Sequence, residues 1–349
     1  MTRLLIAASG TGGHLFPALA VAECLKDYQI EWLGVADRLE RSLVPSQYPL
    51  HTLNVEGFQS SKFSLSTLRV LARQSGAIAK VKDMLAKLKI DVVFTTGGYI
   101  AAPAILAAYW AGIPVVLHES NSIPGKVTRF LSRFCTTTVI GFPQTASYLQ
   151  KTKWVGNPVR NDFLTPQPLD IPLTPEQFLI VVVGGSQGAL ALNDLVRPCL
   201  PAWVKKGAVI VHLTGEKDTT SLVLDGYYSF PFYQNMAGLL QRANLALSRS
   251  GSSTLAELAI TATPSILVPF PFAAEDHQYY NAKAFSEVGA ALLYRQSDIN
   301  SELLEDLVLK LLRGRKQLEI MKEKTASLAV LDSAKQIAQI IRELVAKKP

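Results

Sequence analysis

Short apolar runs that end in glycine turns and open onto helical spacing constrain this chain most. The first run is Arg3-Leu4-Leu5-Ile6-Ala7-Ala8-Ser9-Gly10-Thr11-Gly12-Gly13-His14, and helical spacing follows from Leu15 to Leu25. A second, Val181-Val182-Val183-Gly184-Gly185-Ser186-Gln187-Gly188, comes in the other half. Each reads as a buried strand, a tight loop and a helix N-terminus. Strands of a parallel sheet are covered on both faces and read as unbroken apolar runs. Glycine lets backbone approach a ligand closely, and first-turn N–H groups have no acceptor inside their own helix.

The alternation continues through the chain. Strands are expected at 30–35, 50–55, 92–95, 114–118 and 137–140, with helices at 101–111 and over the long pattern from 57 to 88. The second half predicts strands at 178–183, 209–213, 245–248, 265–269 and 290–293, with helices at 189–204, 236–242, 254–260, 276–288 and 300–312. Such alternation implies parallel sheets joined by right-handed crossovers. The expected fold is α/β, with two doubly wound Rossmann-like domains facing a deep cleft. The expected bounds are 1–163 and 164–329, with a last helix at about 330–349 returning to the first domain. Pro166, Pro168, Pro172 and Pro175 mark the clearest linker.

Composition narrows the function. A chain of 349 residues with 48% hydrophobic and 18% charged residues can bury two full cores. The net charge of +7 favours an anionic partner. No aromatic-basic platform for nucleic acid stands out. Cys24, Cys135 and Cys199 match no zinc or redox spacing, and their odd number argues against a disulfide framework, which points to a reducing, cytoplasmic setting. Val92 to Leu117 carries no charge and is long enough to span a bilayer, but Gly97, Gly98, Pro103, Gly112 and Pro114 favour strand, turn, helix and strand.

Neither glycine loop is a cofactor fingerprint. Leu15 stands where G-x-G-x-x-G needs its third glycine, and only Asp37 would support a nicotinamide reading. No Gly-Lys-Ser/Thr follows Gly188, so ATP hydrolysis is not expected. Arg249-Ser250-Gly251-Ser252-Ser253-Thr254-Leu255-Ala256-Glu257 says more. Between a strand and a helix, Ser252, Ser253 and Thr254 can cap the helix or offer donors to phosphate oxygens. Glu257, about one turn in, suits ribose hydroxyls, because a carboxylate repels phosphate. An ordinary N-cap explains this segment alone; beside the glycine loops, a nucleotide explains it better. His14 can take a proton from a sugar hydroxyl. His118-Glu119-Ser120-Asn121 ends another buried strand. No Asp-x-Asp and no metal-spaced cluster occur, so no metal or other cofactor is expected, and helix dipoles with Arg160 would neutralise a diphosphate.

Taken in order, Gly-Thr-Gly-Gly-His, Thr96-Gly97-Gly98-Tyr99, His118-Glu119-Ser120-Asn121, Gly156-Asn157-Pro158-Val159-Arg160, Gly-Gly-Ser-Gln-Gly, Arg-Ser-Gly-x-x-Thr-x-x-Glu and Asp276-His277-Gln278-x-x-Asn281-Ala282 resemble the MurG family of bacterial glycosyltransferases, which make lipid II. The resemblance implies a GT-B fold, UDP-GlcNAc held mainly by the C-terminal domain, and a lipid-linked acceptor held by the N-terminal one. It implies inverting transfer of GlcNAc to the 4-hydroxyl of MurNAc in undecaprenyl-diphospho-MurNAc-pentapeptide (lipid I). By the same resemblance Thr11, Gly12 and Gly13 lie near the donor and the acceptor diphosphate, and Asn121 touches the GlcNAc. Arg160 and Ser186 hold the donor diphosphate, Glu257 the ribose, and Gln278, with His277 beside it, the sugar hydroxyls. Tyr233, in Phe232-Tyr233-Gln234-Asn235-Met236, faces the uracil through its backbone. His14 is the first choice of base and Glu119 the second.

Lys62 to Arg73 interleaves basic residues with Phe63, Leu65, Leu68 and Leu71, which suits an anionic membrane surface. A peripheral enzyme on the cytoplasmic face of the bacterial inner membrane is expected. Rival readings are a membrane-associated diacylglycerol galactosyltransferase, a nucleotide-sugar epimerase and a membrane-docking scaffold with an inactive cleft.

Overall fold

The computed structural model describes residues 1–10, 12–35, 40–54, 65–185 and 188–347, with the side chains of 65–74 left aside. The chain divides into two units, Met1–Arg160 with Asp332–Pro349, and Asn161–Leu331.

Unit 1 runs β1 (Arg3–Ala7), α1 (Gly12–Glu23), β2 (Gln29–Val35), α2 (Glu40–Leu43), β3 (Leu50–Leu53), α3 (Leu65–Lys87), β4 (Val92–Thr95), α4 (Ala101–Trp110), β5 (Val115–Glu119), α5 (Lys126–Leu131), β6 (Thr137–Ile140) and β7 (Thr152–Trp154). Among the described residues its seven strands lie parallel in the order β3-β2-β1-β4-β5-β6-β7. The uncharged stretch from Val92 to Leu117 is thus β4, α4 and most of β5. No helix among the described residues is long and apolar enough to cross a membrane.

Unit 2 runs β8 (Phe178–Val183), α6 (Leu190–Val196), α7 (Leu200–Lys205), β9 (Ala208–Leu213), β10 (Tyr227–Phe230), α8 (Met236–Arg242), β11 (Leu245–Ser248), α9 (Ser252–Ile260), β12 (Ser265–Leu267), α10 (His277–Ser286), β13 (Ala291–Leu293), α11 (Ser301–Arg313) and α12 (Arg315–Ala326). Its strands are parallel in the order β10-β9-β8-β11-β12-β13. The helix expected over 189–204 is broken into α6 and α7 by a 3-10 turn at Arg197–Cys199. Pro198 and Pro201 lack the N–H groups that would continue it. The strand β10 was not expected.

The last helix, α13 (Ser333–Ala346), returns to unit 1. Its Ile337, Ile340 and Ile341 pack with Leu15, Val21 and Trp32 on one face of the sheet. Burial of each isoleucine contributes roughly 1.5–3 kcal/mol. Val81 and Leu85 of α3 close the other face with Ile100 and Ile105 of the α4 region. In unit 2, Trp203 is fully buried in the core with Ile180, Leu247 and Ile266.

The proline-rich stretch read as a linker is strapped to α8 within unit 2. Gln241 Oε1 accepts from Gln167 N (2.9 Å), Asn235 Nδ2 donates to the Pro168 carbonyl (2.6 Å), and Arg242 donates to the carbonyls of Thr174 and Gln177.

Candidate functional site

Each sheet reverses its strand order once, and a glycine loop leaves the sheet at each reversal. In unit 1 the reversal lies between β1 and β4; in unit 2 it lies between β8 and β11. Ligands of doubly wound sheets bind beyond the carboxyl ends of strands at this point.

In unit 1 the loop after β1 is locked to the loop after β4. His14 Nδ1 lies 2.7 Å from the Thr96 carbonyl oxygen, and Thr96 Oγ1 donates to the His14 carbonyl at 3.0 Å. A carbonyl only accepts, so Nδ1 carries the proton and the neutral ring keeps its lone pair on Nε2. Gly98 makes the close approach possible. Its φ is +76°, and a Cβ there would stand 3.3 Å from the Ser9 carbonyl and 3.7 Å from the His14 ring. Gly12 and Gly13 open α1, with Gly12 buried under the Phe16 ring. Thr11 lies outside the described residues.

Glu40 braces this loop from behind, and nothing in the sequence pattern marked it. Its Oε1 accepts from Gly10 N (3.2 Å) and Val35 N (3.3 Å), and the residue is 1% exposed.

His118, Glu119 and Asn121 follow at the end of β5. His118 is fully enclosed beside the Gly156 backbone and Asn157, near enough to His14 for the two rings to repel when charged. Burial pushes its pKa down to about 4, so the ring is neutral. Burial raises the Glu119 carboxyl, while Oε1 accepts from Asn121 N (2.9 Å) and Asn121 Nδ2 (3.2 Å). Glu119 thereby orients Asn121, whose carbonyl in turn accepts from Thr145 Oγ1 at 2.9 Å. Arg160 places its guanidinium 4.6 Å from the centroid of the Phe16 ring on α1. The structure thus gathers Gly12, Gly13, His14 and Arg160 around the start of α1.

In unit 2 the segment after β11 forms the head of α9. Its N-cap is Gly251, with no side-chain cap. The expected capping by the following hydroxyls is absent because Ser252, Ser253 and Thr254 lie inside the first turn; Ser250, just before the cap, spends its hydroxyl on the Gln278 carbonyl (2.7 Å). Glu257 sits one turn into α9, half-buried. Arg249 is 6% exposed and donates to the carbonyls of Val268 (3.0 Å) and Pro269 (3.1 Å) and to Gln296 Oε1 (2.7 Å). Burial lowers its pKa, and a positive charge with no carboxylate among those bonded partners lies under the helix head.

Gln278 on α10 joins this site. Its Oε1 accepts from Ser250 N (3.3 Å) and Phe270 N (3.0 Å), which fixes the amide and leaves NH2 as the donor. His277 Nδ1 turns back to the Ala274 carbonyl at 2.8 Å. The Tyr233 hydroxyl is buried, and its ring packs 5.2 Å from Phe230. The side chain is thus engaged within the fold. Ser186 lies outside the described residues, but Gly188 closes its loop. At φ +72°, a Cβ on Gly188 would stand 2.6 Å from the Thr214 carbonyl, which accepts from Asn193 Nδ2 at 2.8 Å. Asn193 Oδ1 accepts in turn from His212 Nε2 (3.0 Å), a bracing pair that no glycine pattern revealed.

Among the described residues no group of His, Cys, Asp and Glu could hold a metal ion. Cys135 and Cys199 have thiols pushed up to about 12 by burial, so neither serves as a nucleophile.

Two parallel sheets, each with a glycine loop at its switch point, define a protein of two Rossmann-like domains, and the family matches make its class that of a glycosyltransferase. The family 28 glycosyltransferase N-terminal domain matches residues 4–140 and the family 28 C-terminal domain matches residues 179–337. The chain belongs to glycosyltransferase family 28. It is 61% identical over 344 residues to the UDP-N-acetylglucosamine--N-acetylmuramyl-(pentapeptide) pyrophosphoryl-undecaprenol N-acetylglucosamine transferase of Gloeothece citriformis, covering 97% of this chain and 95% of that one. It is 60% identical to the protein of the same name from Microcystis aeruginosa, covering 98% and 96%. The crystal structure of Acinetobacter baumannii MurG superposes with a TM-score of 0.80 at 29% identity, over 98% of this chain and 100% of that one.

Proposed function

We propose that this protein moves GlcNAc from UDP-GlcNAc to the 4-hydroxyl of MurNAc in lipid I, with inversion, as a step of peptidoglycan synthesis. The observation that carries the reading is that both halves hold a glycine loop at their topological switch point, and each half matches its own domain of the family.

His14 Nε2 takes the proton as the acceptor oxygen attacks the anomeric carbon. The bond from that carbon to the β-phosphate oxygen breaks, and negative charge grows on the leaving UDP. The first-turn N–H groups of α9, with Ser252, Ser253 and Thr254, meet that charge, and Arg160 and Ser186 help to offset it. Thr11, Gly12 and Gly13 lie along the diphosphates. Glu257 accepts from the ribose hydroxyls, the Tyr233 backbone faces the uracil, and Gln278 NH2 and Asn121 bind the sugar. Glu119 holds Asn121 in place and is the second candidate for the base.

An anionic membrane surface supplies the acceptor to unit 1, which docks peripherally at the cytoplasmic face. The side chains from Lys62 to Arg73 lie outside the described residues. Support comes from α4 and α5 instead. Trp110 and Phe130 are 59% and 52% exposed, Tyr109 packs edge-on to Phe134, and Arg133 stacks 4.7 Å from the Phe130 ring. Lys126, Arg129 and Arg133 line a groove of about 670 Å³ beside them. Aromatic rings edged by cations suit the headgroup region.

The test is turnover with UDP-GlcNAc and a lipid I analogue. The expected result is glycosylated acceptor and UDP in equal amounts, with UDP-galactose a poor donor. Consumption of UDP-GlcNAc without acceptor, or preference for UDP-galactose, would overturn the reading.

A further inference from the structure

The segment that delivers Gln278 is strained. Glu275 and Asp276 adopt left-handed backbone in succession, with φ/ψ of 55°/22° and 52°/27°. Left-handed backbone is unfavourable for residues with a Cβ, and two in a row persist only where surrounding contacts impose them.

Asp276 occupies the N-cap of α10, where an aspartate normally accepts from the first turn, yet it makes no cap bond. Its Oδ2 accepts from Arg295 Nη2 at 2.8 Å instead. The Arg295 guanidinium also lies 3.8 Å from the centroid of the Tyr279 ring, one residue past Gln278. Arg295 is therefore held between the end of the strained turn and the first turn of the helix. Its neighbour Gln296 accepts from Arg249, so the exit from β13 ties down both the turn and the arginine under α9.

We propose that Asp276 and Arg295 are positioning residues that clamp this turn and set the aim of the Gln278 amide at the transferred sugar. The proposal rests on Gln278 binding that sugar. Neither clamp residue touches the nucleotide in this reading. Exposed ion pairs contribute little to global stability, and this one is about half exposed, so its effect falls on geometry at the neighbouring site.

The experiment uses the full chain and the variants Asp276→Arg, Arg295→Asp, the double charge swap and Gln278→Ala. Calorimetry gives the affinity of each for UDP-GlcNAc and for UDP, and steady-state kinetics give KM and kcat. Each single swap is expected to weaken UDP-GlcNAc about tenfold and leave UDP within about twofold, and the double is expected to recover most of the loss. The proposal is overturned if UDP-GlcNAc and UDP weaken together, if the singles change neither, or if the double is no better than the singles. Gln278→Ala separates the two ideas. If it keeps the wild-type ratio of the two affinities, the sugar assignment fails and the clamp falls with it. If it loses the ratio while the clamp variants keep it, the clamp alone is wrong.

Discussion

The proton on His14 Nδ1 is fixed by the Thr96 carbonyl, 2.7 Å away, and this one contact leaves the ring's lone pair on Nε2. Replacing His14 by Ala should lower kcat by roughly 10²–10⁴ while UDP-GlcNAc affinity stays near wild type, since the ring acts on the acceptor's proton. Stopped assays with binding measured in parallel check this. Retained turnover would shift the role to Glu119.

Glu257 is assigned to ribose hydroxyls. Its replacement by Ala should weaken UDP by about tenfold to a hundredfold, the usual effect of losing hydrogen bonds to a charged group. Against 2′,3′-dideoxy-UDP the same substitution should matter far less. Equal losses for the two nucleotides would show that the carboxylate acts elsewhere.

Gly188 has no room for a side chain, because a Cβ would stand 2.6 Å from the Thr214 carbonyl at a φ of +72°. Gly188→Ala should displace the loop after β8, at a backbone cost of about 1–3 kcal/mol. The variant should stay folded by circular dichroism and lose most of its UDP-GlcNAc binding. Unchanged affinity would remove this loop from the donor site.

The two buried histidines predict how the units respond to acid. His118 and His212 have values near 4 in the fold against 6.5 when unfolded, both through burial. Between those values the unfolded chain binds more protons, so stability falls as pH drops from 6.5 toward 4. The full loss is on the order of 3 kcal/mol per ring. In unit 1 the buried Glu119, raised in the fold, retains its proton and offsets part of this. In unit 2 burial would raise Asp218, but bonds from Arg197, Thr220 and Asn193 outweigh it and hold it low, which adds a further loss only once the pH falls below the unfolded value of 3.8. Unit 2 should therefore unfold first on acidification. Urea midpoints at pH 7.5 and 5 should move together in His212→Gln and apart in wild type; equal spacing in both would contradict this.

The buried strands were the most legible elements. The expected bounds of β4, β6, β8 and β11 agree with the structure; nearly all of their positions are buried, and in β4, β8 and β11 the apolar run is broken by no more than a terminal Thr or Ser. The strands β7 and β10 were missed for the converse reason. Both are short edge strands with no fully buried position, so neither shows the unbroken apolar run of a strand covered on both faces. At the site, His14 stood out by its place beside the first glycine loop, and Gln278 only through the family motif. Glu40 and His212 did not, because their roles depend on partners 30 and 19 residues away in the chain; Thr96 appeared only within its glycine motif, because its bond to His14 spans 82 residues. Prolines marked the stretch after Phe163 as a linker, whereas Gln241 and Arg242 bind it to α8.

The anomeric configuration of the product tests the central account most directly. In the proposed reaction the acceptor oxygen displaces UDP directly from the anomeric carbon, so the α-linked donor gives a β-linked disaccharide. Proton NMR of the purified product should show the large axial coupling of a β-GlcNAc anomeric proton; the small coupling of an α-linkage would contradict the account.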